Sequence, residues 1–244
     1  MDQQPNTPTP APKQKPAFHN LMSRREKIAG WIYLPIHVVV LPLFLGTVIY
    51  LLSGGKVPDD VTLNVIYLLI GLIFLLVTQF RFFHDSYVVL TRNFRRALTT
   101  MLLGYFILML CGAAMNLLSS LFGSLPSSPN DEAVNELAQM DMRRVVATAV
   151  IMAPIVEETL FRGMIFGSLR GKSRVAAYAV SMILFALVHT WQYAVVAHSF
   201  APLLSAVLYL PIGFVLAFCY DRTGSIWTPI FFHMFYNALA LSLR

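Results

Sequence analysis

Long apolar runs alternate with short polar connections along most of this chain. The runs are Trp31 to Leu52, Val61 to Phe80, Ala97 to Phe122, Val145 to Leu169, Val175 to Ala197, Phe200 to Tyr220 and Ser225 to Leu243, each close to the ~20 residues that cross a bilayer core. The pattern predicts an all-α fold, a polytopic membrane helix bundle of about seven transmembrane helices, with a polar site inside the C-terminal four. Between the third and fourth runs, Asn130 to Arg144 is polar but carries Ala133, Val134, Leu137 and Met140 at helical spacing. It reads as a short amphipathic helix, either lying on the membrane surface or lining the entrance to a site, or equally as a solvated loop helix. Met1 to about Pro16 is rich in Pro, Gln and Thr with almost nothing apolar to bury, so the start of the chain is predicted to be disordered. The chain divides accordingly into a tail (1–20), the first three helices (21–130) and the last four (131–244).

Composition narrows the class. Of the 244 residues, 57% are hydrophobic and 12% charged, against roughly 25% charged in average proteins. A water-soluble domain of this size could not hide so much apolar surface. The net charge of +6 then describes topology, and nucleic-acid binding is the weaker meaning of a basic balance. Lys13, Lys15, Arg24, Arg25 and Lys27 precede the first run; Arg81, Arg92, Arg95 and Arg96 follow the second; Arg170, Lys172 and Arg174 follow the fourth; Arg222 follows the sixth. The positive-inside rule places the N-terminus in the cytoplasm and, with seven helices, the C-terminus outside, with Arg143 and Arg144 on the wrong side. In a bacterium the host would be the plasma membrane. The first run lacks a small-residue cleavage site and reads as an anchor. Cys111 and Cys219 lie apart in apolar runs and are expected to be buried thiols without a disulfide or metal framework.

Three polar clusters interrupt the later runs: Glu157, Glu158 and Arg162; Phe185 and His189; His233 and Asn237. An ionisable group at bilayer depth costs a few kcal/mol, so several in one small bundle are expected to converge on a site. Glu158 and Arg162 are one helical turn apart and predicted to pair. Glu157 points about 100° away from Glu158 and is expected to face a cavity. Pro154, just before the acids, removes a backbone hydrogen bond and predicts a local kink. His233 and Asn237 share one face of the last helix. At ~1.5 Å per residue all four of Glu157, His189, His233 and Asn237 fit within one slab of a ~30 Å core. His37, among apolar neighbours, and His198, in a loop, are expected to be structural and surface residues.

The same residues carry a resemblance. The stretch from Ala153 to Arg170 (APIVEETLFRGMIFGSLR), Phe185 to His189 (FALVH), and Tyr220 to Leu239 (YDRTGSIWTPIFFHMFYNAL) are similar to the CPBP family of intramembrane proteases, which includes the type II CAAX prenyl endopeptidases. The family is marked by EExxxR, FxxxH and HxxxN, and all three occur in order over roughly the last 100 residues. The first three helices carry no such motif.

The resemblance implies an intramembrane endopeptidase acting on a membrane-embedded or membrane-associated peptide or protein. Glu157 and His189 would handle the attacking water, His233 and Asn237 would face the oxyanion, and Glu158 and Arg162 would hold Glu157 in place. Glu157, His189 and His233 also form the two-His, one-carboxylate set of a catalytic zinc site, although no HExxH is present, so a zinc and a metal-free mechanism both stand. Buried Glu and His residues also build transporters and proton-coupled channels, and a non-catalytic membrane scaffold is a third alternative.

Overall fold

The computed structural model describes residues 18–56 and 58–243, and every regular element among them is helical. Most of the predicted tail lies outside these residues. Phe18 and Asn20, within the 1–20 division given to the tail, pack on the core: the Phe18 ring meets Phe166 and Tyr220 edge-on, and Asn20 donates to the Gly163 carbonyl.

The first helix, α1 (Arg24–Leu52), opens on a capping box in which Ser23 and Glu26 satisfy each other's backbone N–H. The Glu26 carboxylate also accepts the Phe82 N–H at 2.9 Å, tying the start of α1 to a later helix. After Pro35, α1 widens into a π turn, Ile36–Val40, which buries His37. Here His37 gains polar neighbours that linear sequence does not show, the hydroxyls of Tyr33 (3.3 Å) and Tyr67 (2.9 Å).

Helix α2 (Asp60–Thr78) is capped by Asp59, whose carboxylate accepts the Thr62 N–H. The next helix, α3 (Phe80–Arg92), corrects the sequence reading, which made this stretch a charged loop. Its apolar stripe is only Phe82, Phe83 and Leu90 with Ser86, buried on one face, and the flanking arginines masked it.

Helix α4 (Phe94–Phe122) buries only Ala97, Thr100 and Gly104. A side chain at Gly104 would lie 2.8 Å from Val215, so the glycine lets two helices approach closely. The rest of α4 presents Leu102, Phe106, Leu110 and Leu117 outward, as a lipid-facing helix does. Cys111, expected to be buried, is only half-buried there, while Cys219 is buried; both are free thiols.

Helix α5 (Pro129–Val145) is the predicted amphipathic helix. It is capped by Ser128 and broken by extended backbone at Asp141 (φ −155°, ψ 89°). Arg144, one of the two arginines that fall on the wrong side of the predicted topology, is held by Asp141 at 2.7 Å and Asp59 at 3.6 Å.

Helix α6 covers 146–170 and runs on directly from α5. It is followed by α7 (Arg174–Val188), α8 (Trp191–Val196), α9 (Ala201–Thr223) and α10 (Trp227–Ser242). All the predicted apolar runs are therefore helical, as an all-α polytopic bundle requires. By length and composition α1, α2, α4 and α9 can each cross a membrane. The fifth run breaks after Val188 into α7 and the short α8, and the sixth starts as a 3-10 turn, Ala201–Tyr209. Helix α6 is central, packed against α1, α2, α7, α9 and α10. Its segment Thr159–Phe166 is buried on all sides, including Arg162.

Candidate active site

The site is built on irregularities in α6. Two π turns, Val146–Met152 and Thr159–Phe166, flank the short α-helical segment Ala153–Glu158 that carries both acids. In the first π turn the Ala153 N–H reaches back to Thr148 O. Continued by one residue, that pattern would give Ala149 O the N–H of the next residue, Pro154, which has none. Asn237, from α10, fills this place: its side-chain N–H donates to Ala149 O at 2.8 Å. The proline and the asparagine, distant in sequence, thus form one local unit.

Next to it lies a buried charge network. Arg162 donates to Glu158 Oε1 at 3.1 Å, and both side chains are fully buried. The guanidinium also donates to Gly213 O at 3.0 Å and lies over the Phe185 ring at 4.2 Å. His233 Nδ1 lies 3.0 Å from the same Glu158 Oε1. Since the carboxylate can only accept, this fixes the proton on Nδ1 and turns Nε2 outward. Glu158 therefore orients His233; no hydrogen bond joins Glu158 or Arg162 to Glu157 among the described residues, in contrast to the holding role the resemblance implied. Phe185 serves the network at three points: its ring underlies Arg162, its edge meets His233, and its carbonyl accepts His189 Nδ1–H at 2.7 Å.

His189 thereby presents Nε2 toward Glu157, whose Oε2 is 3.9 Å away. Glu157 Oε2 is buried with no hydrogen-bond partner. Glu157, His189, His233 and Asn237 all line one cavity of about 270 Å³, with apolar walls that include Leu68, Val188 and Ile212. Glu158 and Arg162 do not line it. Among the described residues no three His, Cys, Asp or Glu side chains are arranged to hold a metal ion. The chemistry below uses only the side chains.

Several cavity residues escaped the sequence reading, among them Tyr209, Asn64 and Tyr67. Tyr209, at the end of the 3-10 turn, stacks on His189 (4.5 Å, 23°) and hydrogen-bonds Ser128 and Asp131, so the start of α5 stands at the cavity. Nothing in the local sequence marks it. Asn64 and Tyr67, three residues apart on α2, also line the cavity. Asn64 was detectable, as an amide inside an apolar run. His198 is exposed in a turn at φ 47°.

Glu157, two histidines and Asn237, from the three motifs that carry the resemblance, thus meet in one cavity of an apolar helical bundle. Comparison with known proteins agrees. Residues 142–239 match the family described as "Type II CAAX prenyl endopeptidase Rce1-like". The chain is also 32% identical over 143 residues, 58% of its length, to the protein named "Putative membrane peptidase YdiL" of Bacillus subtilis (strain 168). It spans about half (54%) of that relative's length. No solved structure matches. These findings support the CAAX protease family for the segment that carries the motifs.

Proposed function

We propose that this protein is an intramembrane endopeptidase that hydrolyses a peptide bond of a membrane-embedded or membrane-associated substrate. The observation that carries the proposal is the meeting of Glu157, His189, His233 and Asn237 in one cavity inside the family-matched segment. Glu157 and His189 Nε2 both face the cavity as acceptors, and a separation of 3.9 Å suits two acceptors gripping the two hydrogens of one water. The water oxygen then attacks the scissile carbonyl as its proton passes to Glu157. The second N–H of Asn237 donates to the developing oxyanion. His233, once protonated, is the other donor, with Glu158 stabilising the imidazolium. Glu157 returns its proton to the leaving nitrogen as the C–N bond breaks. The N-terminus is cytoplasmic in this reading, and in a bacterium the enzyme sits in the plasma membrane.

The test compares membrane proteomes of cells carrying the wild-type protein or Glu157→Gln at equal abundance. Cleavage products should vanish in the variant while the folded protein persists. Identical product profiles would overturn the assignment.

A further inference from the structure

A second cavity of about 320 Å³ adjoins the first. Asn64, Tyr67, Asn130, Val134 and Gln192 line both, so the two compartments meet across a shared rim. The rim is mainly polar, whereas the far compartment is walled by Leu41, Leu45, Leu63, Ala133 and Leu137, with Gly46 among them. Gly46 lies in a helix, where glycine is disfavoured, and a Cβ built there meets nothing within 4 Å. The glycine leaves room in this wall.

The rim has the chemistry an extended peptide needs. A backbone held at membrane depth must find partners for its N–H and C=O groups. An amide side chain offers both a donor and an acceptor. Asn64 makes one long contact, 3.4 Å to Thr148, and the Gln192 side chain makes no hydrogen bond among the described residues. By contrast, the Tyr67 hydroxyl is engaged with His37 and gives the rim a fixed wall.

We propose that this second compartment is a specificity subsite. It takes one bulky apolar side chain, of leucine or phenylalanine size, from a residue flanking the scissile bond, while Asn64 and Gln192 bind the backbone beside it. The inference rests on the endopeptidase reading of the first cavity, and it gives α1 and α2, which carry no family motif, a part in substrate choice.

Two measurements test it. In the first, purified protein in detergent cleaves a synthetic peptide library in which each position is either alanine or leucine. At one position leucine should be preferred by at least about tenfold, the scale on which pockets discriminate small apolar groups. Gly46→Leu, which fills the compartment, should erase that preference. Gly112→Leu, on the exposed face of α4 and also free of neighbours within 4 Å, should keep it. In the second, a diazirine-bearing leucine analogue at that position should crosslink Glu157→Gln protein at 41–46 and 133–137. Loss of this labelling in the Gly46→Leu, Glu157→Gln double variant is the expected companion result. Cleavage with the same leucine preference in Gly46→Leu, or labelling elsewhere, would overturn the subsite and leave the endopeptidase reading standing. No cleavage of any library member would overturn the endopeptidase reading, and the subsite with it.

Discussion

Glu158→Gln should destabilise the fold far more than Glu157→Gln, although the two acids are adjacent and Gln preserves the shape of each. Arg162 is fully buried, and among the described residues the only carboxylate within ion-pair distance of it is that of Glu158, at 3.1 Å. The Gly213 carbonyl and the Phe185 ring remain after the substitution, but both already act in the wild type and cannot replace the lost charge. Removing one member of a buried pair costs about 3 to 5 kcal/mol, roughly two to three and a half decades in the folding equilibrium. Glu157 faces the cavity and makes no hydrogen bond to the protein among the described residues. Its neutral replacement should therefore change stability by less than about 1 kcal/mol. Reversible unfolding by dodecyl sulfate titration in mixed micelles, followed by tryptophan fluorescence, measures the difference; Trp227 reports on the bundle because its indole N–H is bonded to Phe83 O. Replacing the pair together, as Glu158→Gln with Arg162→Met, should recover part of the loss, because no unpaired charge is left behind. Equal stability of Glu158→Gln and Glu157→Gln would refute the argument.

Further expectations follow from other parts of the site. Asn237→Ala should slow peptide cleavage by about 10²- to 10³-fold through the lost oxyanion donor, and should lower stability by about 1 to 3 kcal/mol by orphaning Ala149 O; unchanged turnover in a stopped assay would remove Asn237 from the mechanism. Protein stripped of metal should keep its cleavage rate, whereas one equivalent of zinc by elemental analysis, lost with activity in His189→Ala, would reassign Glu157, His189 and His233 as ligands. Hydrogen bonds from Thr62 and the contacts of Arg144 hold the carboxyls of Asp59 and Asp141 below their ordinary 3.8. Such groups stabilise the fold above that value and lose their effect as the pH falls through their lowered pKa, so hydrogen exchange at the start of α2 and around Asp141 should quicken only in strong acid; quickening near neutral pH would contradict the assignment. A reporter fused after Arg244 should lie outside the cytoplasm and one near Lys172 inside it; both on one side would disprove the topology.

The helical class and the residues that meet in the cavity were legible because they rest on local rules. Burial in a bilayer demands long apolar runs, and a polar group within one is visible at once. Tertiary choices were less legible. That Glu158 turns to His233 depends on how α6 and α10 cross, and no spacing within either helix encodes it. The π turns flanking Ala153–Glu158 were anticipated only as a kink at Pro154, since a widened turn leaves residue order unchanged. Helix α3 was missed because a four-residue stripe among arginines resembles a loop, and Tyr209 because stacking on His189 needs the 3-10 turn to aim it.

The uneven apolarity of the helices has a consequence for biogenesis. Helices α1, α2, α4 and α9 are apolar enough to partition into lipid as separate units. Helix α6 carries the buried Glu158–Arg162 pair, whose partners outside the helix, Gly213 O and His233, come from α9 and α10 and are synthesised later. During translation the pair therefore waits without those partners, so the nascent chain must hold α6 at the insertion machinery or against α1 and α2 until α9 and α10 emerge. Chains truncated before α9 should accordingly be substrates for membrane quality control, and their lifetime would report how long the unfinished site goes unsheltered.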